Sequence, residues 1–216
     1  DLHRVDRRQR QMCIRDRYLI PYIKKNKAVL YVNVGDYKNV WDELIRDIPQ
    51  MRELATEHFD NWKDTKAFAT KALSASQINN SDVVTDNNRD DNSKNITADN
   101  SSEDTSDNIT GIHGFYHKNI FEAVYCTNLL MRSADVLVTK PSELAFYPVP
   151  KLFIKRVGGH EQWGAVHSAE IGDGTLECRD IPHTLQMIKL FMEDDTYIID
   201  MCKNIKKNKQ MGIYNG

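Results

Sequence analysis

The sequence predicts an α/β fold, an open and mostly parallel sheet with helices on its faces, and three observations carry that expectation. Short apolar runs rich in β-branched residues recur along the chain, with Asp135 to Thr139 and Lys151 to Val157 the clearest of them. Helical patterns stand between the runs, as crossover connections of parallel strands require. The runs at 135 and 151 each deliver a polar loop, Lys140-Pro141-Ser142-Glu143 after the first and Gly158-Gly159-His160-Glu161-Gln162 after the second. In open α/β sheets ligands sit beyond the carboxyl ends of the strands, so these loops are where chemistry is expected.

The elements follow in order. Residues 1–17 are arginine-rich without apolar periodicity, and their MCIRDR tract resembles translated sequencing adapter. These residues are therefore expected to be a non-native or disordered basic arm, with the chain a C-terminal piece of something longer. Residues 18–75 hold a first β-α unit and a helix. Ala28 to Val34 reads as a strand, Gly35-Asp36 as a turn and Asn39 as the N-cap of a helix stopped by Pro49. Met51, Leu54, Ala55, His58, Phe59, Trp62, Ala69 and Leu73 fall near one face of a second helix, which makes His58 and Trp62 a half-buried core pair.

Residues 76–110 contain eight Asn, seven Asp, six Ser and four Thr, 25 of 35 positions, and this composition predicts a disordered insertion because it buries too little surface to offset chain entropy. Its DNNRDDNSKN stretch lacks the glycine and the final glutamate of a calcium loop. Residues 111–216 form the expected binding core. A strand ending at Tyr116, a helix from Lys118 to Ala134, the strand at Asp135 and a short helix at Ser142 to Tyr147 come first. The strand at Lys151, a helix from Glu161 to Glu170 and, after the Gly172-Asp173-Gly174 turn, helices at Ile181 to Met192 and Thr196 to Lys207 complete it.

Composition narrows the function. With 29 basic and 31 acidic residues the net charge is −2, which argues against a general nucleic-acid binder. No run of 18 apolar residues occurs and no signal-peptide core opens the chain, so a soluble cytoplasmic protein is expected. Cys13, Cys126, Cys178 and Cys202 are scattered without a Cys-x-x-Cys pair, which points to thiols and to no metal site.

The loop Gly158-Gly159-His160-Glu161 between a strand and a helix presents backbone N–H groups and a helix N-terminus, an anion site in outline that suits phosphate. His160 has the chemistry of a hydrogen-bond donor to phosphate or of an acid-base group, and Glu161 and Gln162 that of sugar-hydroxyl partners. The same residues admit plainer readings: a surface histidine, an N-terminal glutamate on a helix dipole, a Glu143 that caps its own short helix, and solvated Lys140, Lys155 and Arg156.

The succession SADVLVTKP, SELAFYPVPKLFI, GGHEQWGA and IGDG, followed by two helices, resembles the C-terminal half of GT-B glycosyltransferases. Within that group it is most similar to the bacterial peptidoglycan lipid-intermediate GlcNAc transferase and the diacylglycerol glycosyltransferases, over about Ile109 to Lys207. The resemblance implies a Rossmann-like half domain that binds a nucleoside-diphosphate sugar, UDP-linked as substrate, for transfer to a lipid or small acceptor, with no cofactor and a place at the membrane surface for a lipid acceptor. It implies that Glu143 holds the donor ribose, that Lys140 and Ser142 stand beside it, that Gly158 and Gly159 form the phosphate-side loop, and that His160, Glu161 and Gln162 contact the sugar. The sequence departs from the pattern where it passes directly from Pro141 to Ser142 without a Gly-rich segment, and where Gly164 replaces Asn. A non-catalytic sugar-nucleotide or partner-binding module is the alternative.

Overall fold

The computed structural model describes residues 18–82 and 108–215. It is an α/β arrangement in which every strand pair is parallel. One sheet has three strands, β1 (Val29–Asn33), β3 (Gly111–Tyr116) and β2 (Ala55–Phe59), in the order β1-β3-β2. The other has two, β4 (Leu137–Thr139) and β5 (Lys151–Phe153). The helices are α1 (Lys38–Asp47), α2 (Pro49–Leu54), α3 (Trp62–Asp82), α4 (Ile120–Leu130), α5 (Gln162–Ile171), α6 (Ile181–Glu193) and α7 (Thr196–Gln210), and residues 18–23 are helical as well. No described helix is long and apolar enough to cross a membrane.

The central strand β3 explains why the three-stranded sheet is covered on both faces. Side chains alternate along a strand. Ile112 joins Val32, Trp41, Leu44, Ile48 and Met51 in one apolar cluster, while Phe115 joins Phe68, Ala72, Cys126 and Leu130 in another. Gly114 lies on the Ile112 side, where a Cβ would come within 2.4 Å of the Trp41 ring. Glycine therefore lets the indole press against the strand, 1% exposed, with its Nε1–H donated to Glu57 Oε1 at 2.8 Å.

The two-stranded sheet packs through Leu152 against Cys178, Ile188 and Phe191, and Leu19 is packed against both this cluster and the Val32 cluster. Gly172 ends α5 in the left-handed conformation, φ 72°, and the next residues return to β5, where Lys151 bridges Gly174. Helix α5 meets the 140–146 segment closely at Gly164, where a Cβ would sit 2.8 Å from the Pro141 carbonyl oxygen and 3.0 Å from Ala145 Cβ. Gly164→Ala is expected to cost about 1 to 3 kcal/mol by forcing helix and segment apart. Chemical denaturation checks this, and an unchanged midpoint would show that the contact yields freely.

Several expectations need correction. The single helix expected from Met51 to Leu73 is instead the end of α2, the strand β2 and the start of α3, so His58 lies in a strand and Trp62 opens the next helix. The apolar spacing there was shared by three elements, and β2 carries Glu57 and His58 where an apolar run would have betrayed a strand. Helix α1 begins at Lys38, with Tyr37 at the N-cap making no side-chain bond, so Asn39 is not its cap. The strand expected to run to Val157 ends at Phe153, and the five strands divide between two sheets rather than one. Helix α3 continues through Asp82 into the segment expected to be disordered; the rest of that segment and the basic arm lie outside the described residues.

Candidate functional site

The loops after β4 and β5 meet. Lys140, the first residue beyond β4, pairs through Nζ with Glu161 Oε1. The other carboxylate oxygen, Oε2, accepts from the N–H groups of Val157 at 2.7 Å and Gly158 at 3.2 Å. Glu161 is buried, and burial pushes its carboxyl up, but the Lys140 ammonium and the two amides outweigh that and hold it at about 2. A permanent internal carboxylate thus occupies the inner amides of the loop that the sequence suggests for phosphate. The loop is held from its other side by Arg156, whose N–H donates to Glu177 Oε1 at 3.0 Å and whose guanidinium pairs with Oε2 at 3.1 Å.

The remaining residues of this site face outward. Glu143 is exposed on the short turn Glu143–Phe146, its acidity strengthened by its own backbone N–H, then by the Ser142 hydroxyl and the nearby Lys140. Gly159, His160 and Gln162 are exposed, and a Cβ on Gly159 would meet nothing within 4 Å. The His160 ring folds back over Gly158, where a Cβ would come within 2.6 Å of it. The structure therefore brings Lys140, Gly158 and Glu161 into one bonded unit, sets Ser142 and Glu143 beside it, and leaves Gly159, His160 and Gln162 at its rim.

A second polar assembly, absent from the sequence reading, occupies the carboxyl edge of the three-stranded sheet. Asp60 follows β2 directly, and His117 follows β3 directly. Glu122 stands in the first turn of α4. Asp60 holds a left-handed backbone, φ 51°, while its N–H donates to the Tyr116 carbonyl at 2.7 Å. The His117 N–H donates to the Gly35 carbonyl beyond β1 at 3.0 Å, so all three strand ends are tied together here. One ligand atom each from Asp60, His117 and Glu122 lie within 4.8 Å of one another. Within the sheet, His58 Nδ1 meets Asp64 Oδ2 at 2.6 Å and its Nε2 meets His113 Nδ1 at 3.1 Å. Burial, then the His58 neighbour, lowers His113 to about 4 and keeps it neutral.

Sequence reasoning missed this edge because it merged β2 into a helix, which moved Asp60 from a strand end to a helix interior. The signal that could have found it is the repeated pattern of an aromatic strand end followed by a polar residue, Phe59-Asp60 and Tyr116-His117.

Comparison with known proteins returns one family model, described as Domain of unknown function (DUF6938), matching residues 9–101 and again 75–216. No curated protein and no solved structure matches.

Proposed function

The chain belongs to the DUF6938 family, and from its strand-end loops we propose that it is the donor-binding half of a glycosyltransferase-like protein, taking a nucleoside-diphosphate sugar. In this reading the two parallel sheets are parts of one Rossmann-like half domain. The observation that carries the proposal is the convergence of the loops after β4 and β5, pinned by Lys140 and Glu161, at the edge where parallel sheets bind ligands. The sequence resemblance of Ile109 to Lys207 to GT-B enzymes, which runs through these same loops, gives the ligand its suggested class.

Each residue then has a role set by where it stands. Glu143, exposed and ionised, accepts from the ribose hydroxyls. The N–H groups of Gly159 and His160, in the turn that opens α5, face the diphosphate, since the first amides of a helical run have no intrahelical partner. Glu161 holds the loop in shape for them instead of contacting the sugar. Gln162 and the His160 ring remain to read the sugar.

The engagement of the Val157 and Gly158 amides by Glu161, together with the direct step from Pro141 to Ser142, favours a second reading, a module that binds the sugar nucleotide without transferring the sugar. Calorimetric titration of the full-length protein with UDP, UDP-sugars and free sugar tests both. Micromolar-range binding of UDP and none of free sugar is the expected result, with Glu143→Gln weakening it roughly ten- to a hundredfold, the worth of one charged hydrogen bond of about 1.5 to 3 kcal/mol. Absence of nucleotide binding overturns the proposal. Binding with neither transfer nor donor hydrolysis selects the module.

A further inference from the structure

We propose that Asp60, His117 and Glu122 form a site for one divalent transition-metal ion of the Mn²⁺ or Zn²⁺ class, at the carboxyl edge of the three-stranded sheet. Nothing in it depends on the nucleotide-sugar reading.

The argument begins with His117. The residue is 0% exposed, and its Nδ1 is buried without a hydrogen-bond partner. The other ring nitrogen, Nε2, lies 3.1 Å from the hydroxyl of Thr65, itself wholly buried in the first turn of α3. With the proton on Nε2 and donated to that hydroxyl, the Nδ1 lone pair points at the carboxylates. Metal-bound histidines are commonly oriented by a partner on the far nitrogen in this way. The Trp62 ring stands edge-on to the imidazole with centroids 5.7 Å apart and restricts its rotation.

What Nδ1 faces is a set of acceptors. Glu122 Oε2 is 3.5 Å away, and an Asp60 oxygen completes the group within 4.8 Å. A lone pair and two carboxylates gathered this closely repel one another unless a cation lies among them. Lys118 answers only part of that charge: its N–H donates to Asp60 Oδ1 at 3.1 Å and its ammonium reaches Oδ2 at 3.4 Å, on an exposed side chain free to swing away.

The spacing suits a small ion. Metal–ligand bonds of about 2.0 to 2.2 Å place ligand atoms roughly 3 to 4 Å apart, so atoms now within 4.8 Å of one another need to close by about 1 to 2 Å at most. The half-exposed Asp60 and Glu122 side chains can supply that closure by rotation. One imidazole with two carboxylates selects a transition ion over Ca²⁺ or Mg²⁺, which prefer all-oxygen shells. Three protein ligands leave further coordination positions toward solvent for water or for an oxygen-rich ligand.

The test uses the full-length protein with Mn²⁺ followed by electron paramagnetic resonance and Zn²⁺ followed by calorimetry. One equivalent is expected to bind. Asp60→Asn and Glu122→Gln, both at accessible side chains, are expected to weaken binding at least tenfold. Thr65→Val, which removes only the orienting hydroxyl, is expected to weaken it roughly ten- to a hundredfold while Asp60 and Glu122 remain in place. His117→Ala risks the fold, so ¹⁵N resonances of the His117 ring provide the parallel readout: metal should shift Nδ1 and leave Nε2 protonated. The proposal is overturned if neither ion binds, if Asp60→Asn and Glu122→Gln leave affinity unchanged, or if His117 proves to carry a proton on Nδ1 that metal does not displace.

Discussion

Asp173→Ala is expected to lower folding stability by about 3 to 5 kcal/mol. Lys151 and Asp173 are both 0% exposed and their Nζ and Oδ2 atoms are 2.8 Å apart. The ammonium is fully engaged, since it also donates to the carbonyls of Tyr147 at 2.7 Å and Val149 at 3.0 Å. Tyr214 donates its hydroxyl to Asp173 Oδ2 at 2.7 Å, and burial, then that bond, pushes the phenol up to about 12. Burial also draws the Lys151 ammonium down, against the pull of Asp173. Removing the carboxylate therefore strands a buried cation. Replacing both partners with apolar residues, Lys151→Met with Asp173→Leu, should recover most of the loss, because the attraction within such a pair roughly offsets its desolvation. Urea unfolding of the two variants beside the wild type decides the matter: a loss under 1 kcal/mol for Asp173→Ala would mean that water reaches the pair.

The second large effect belongs to Glu161. Glu161→Ala deprives Lys140 of its partner and two loop amides of their acceptor, and with charged hydrogen bonds worth about 1.5 to 3 kcal/mol a total of about 2 to 4 kcal/mol is expected. The sign of the pH dependence follows from the direction of the shift. The folded carboxyl sits at about 2 against an ordinary value of 4.5, so the unfolded chain takes up its proton first on acidification. The stabilisation is whole above pH 4.5 and fades as the pH falls toward 2. Comparing wild type with Glu161→Gln across that window should show the two curves converging in acid. Parallel curves would show that the carboxylate is not ionised by its partners. The same substitution separates the two roles open to this residue, since a carboxylate that contacts only sugar would change discrimination between sugars with no effect on unfolding.

Much of the fold was legible because apolar runs and stop signals coincided. Gly111 to Tyr116, Leu137 to Thr139, the 3₁₀ turn at Glu143 and helices α4 to α7 lie where periodicity put them. Strand β2 was not legible, since Ala55 to Phe59 is short and its register against β3 is set by tertiary packing beside Ile112 and Phe115, not by its own pattern. The site divided along the same line. Lys140, Glu143 and Glu161 could be found because each follows a readable strand, yet the direction of Glu161's carboxylate, inward onto Val157 and Gly158, depends on contacts that spacing does not encode. The Asp60 and His117 edge needed β2, and vanished with it.

The attachment points of the segment between α3 and β3 carry a practical consequence. In a parallel sheet a helix returns the chain from the carboxyl edge to the amino edge, so the Asn- and Asp-rich stretch enters after Asp82 and leaves before Gly111 on the edge opposite Asp60 and His117. Doubling the length of such a connection costs only about 0.6 kcal/mol in closure entropy. This makes the stretch between Asp82 and Gly111 a splice point: both of its attachments lie on the edge away from Asp60 and His117, so an affinity tag or a fluorescent reporter inserted there is joined to the protein far from that cluster of polar residues.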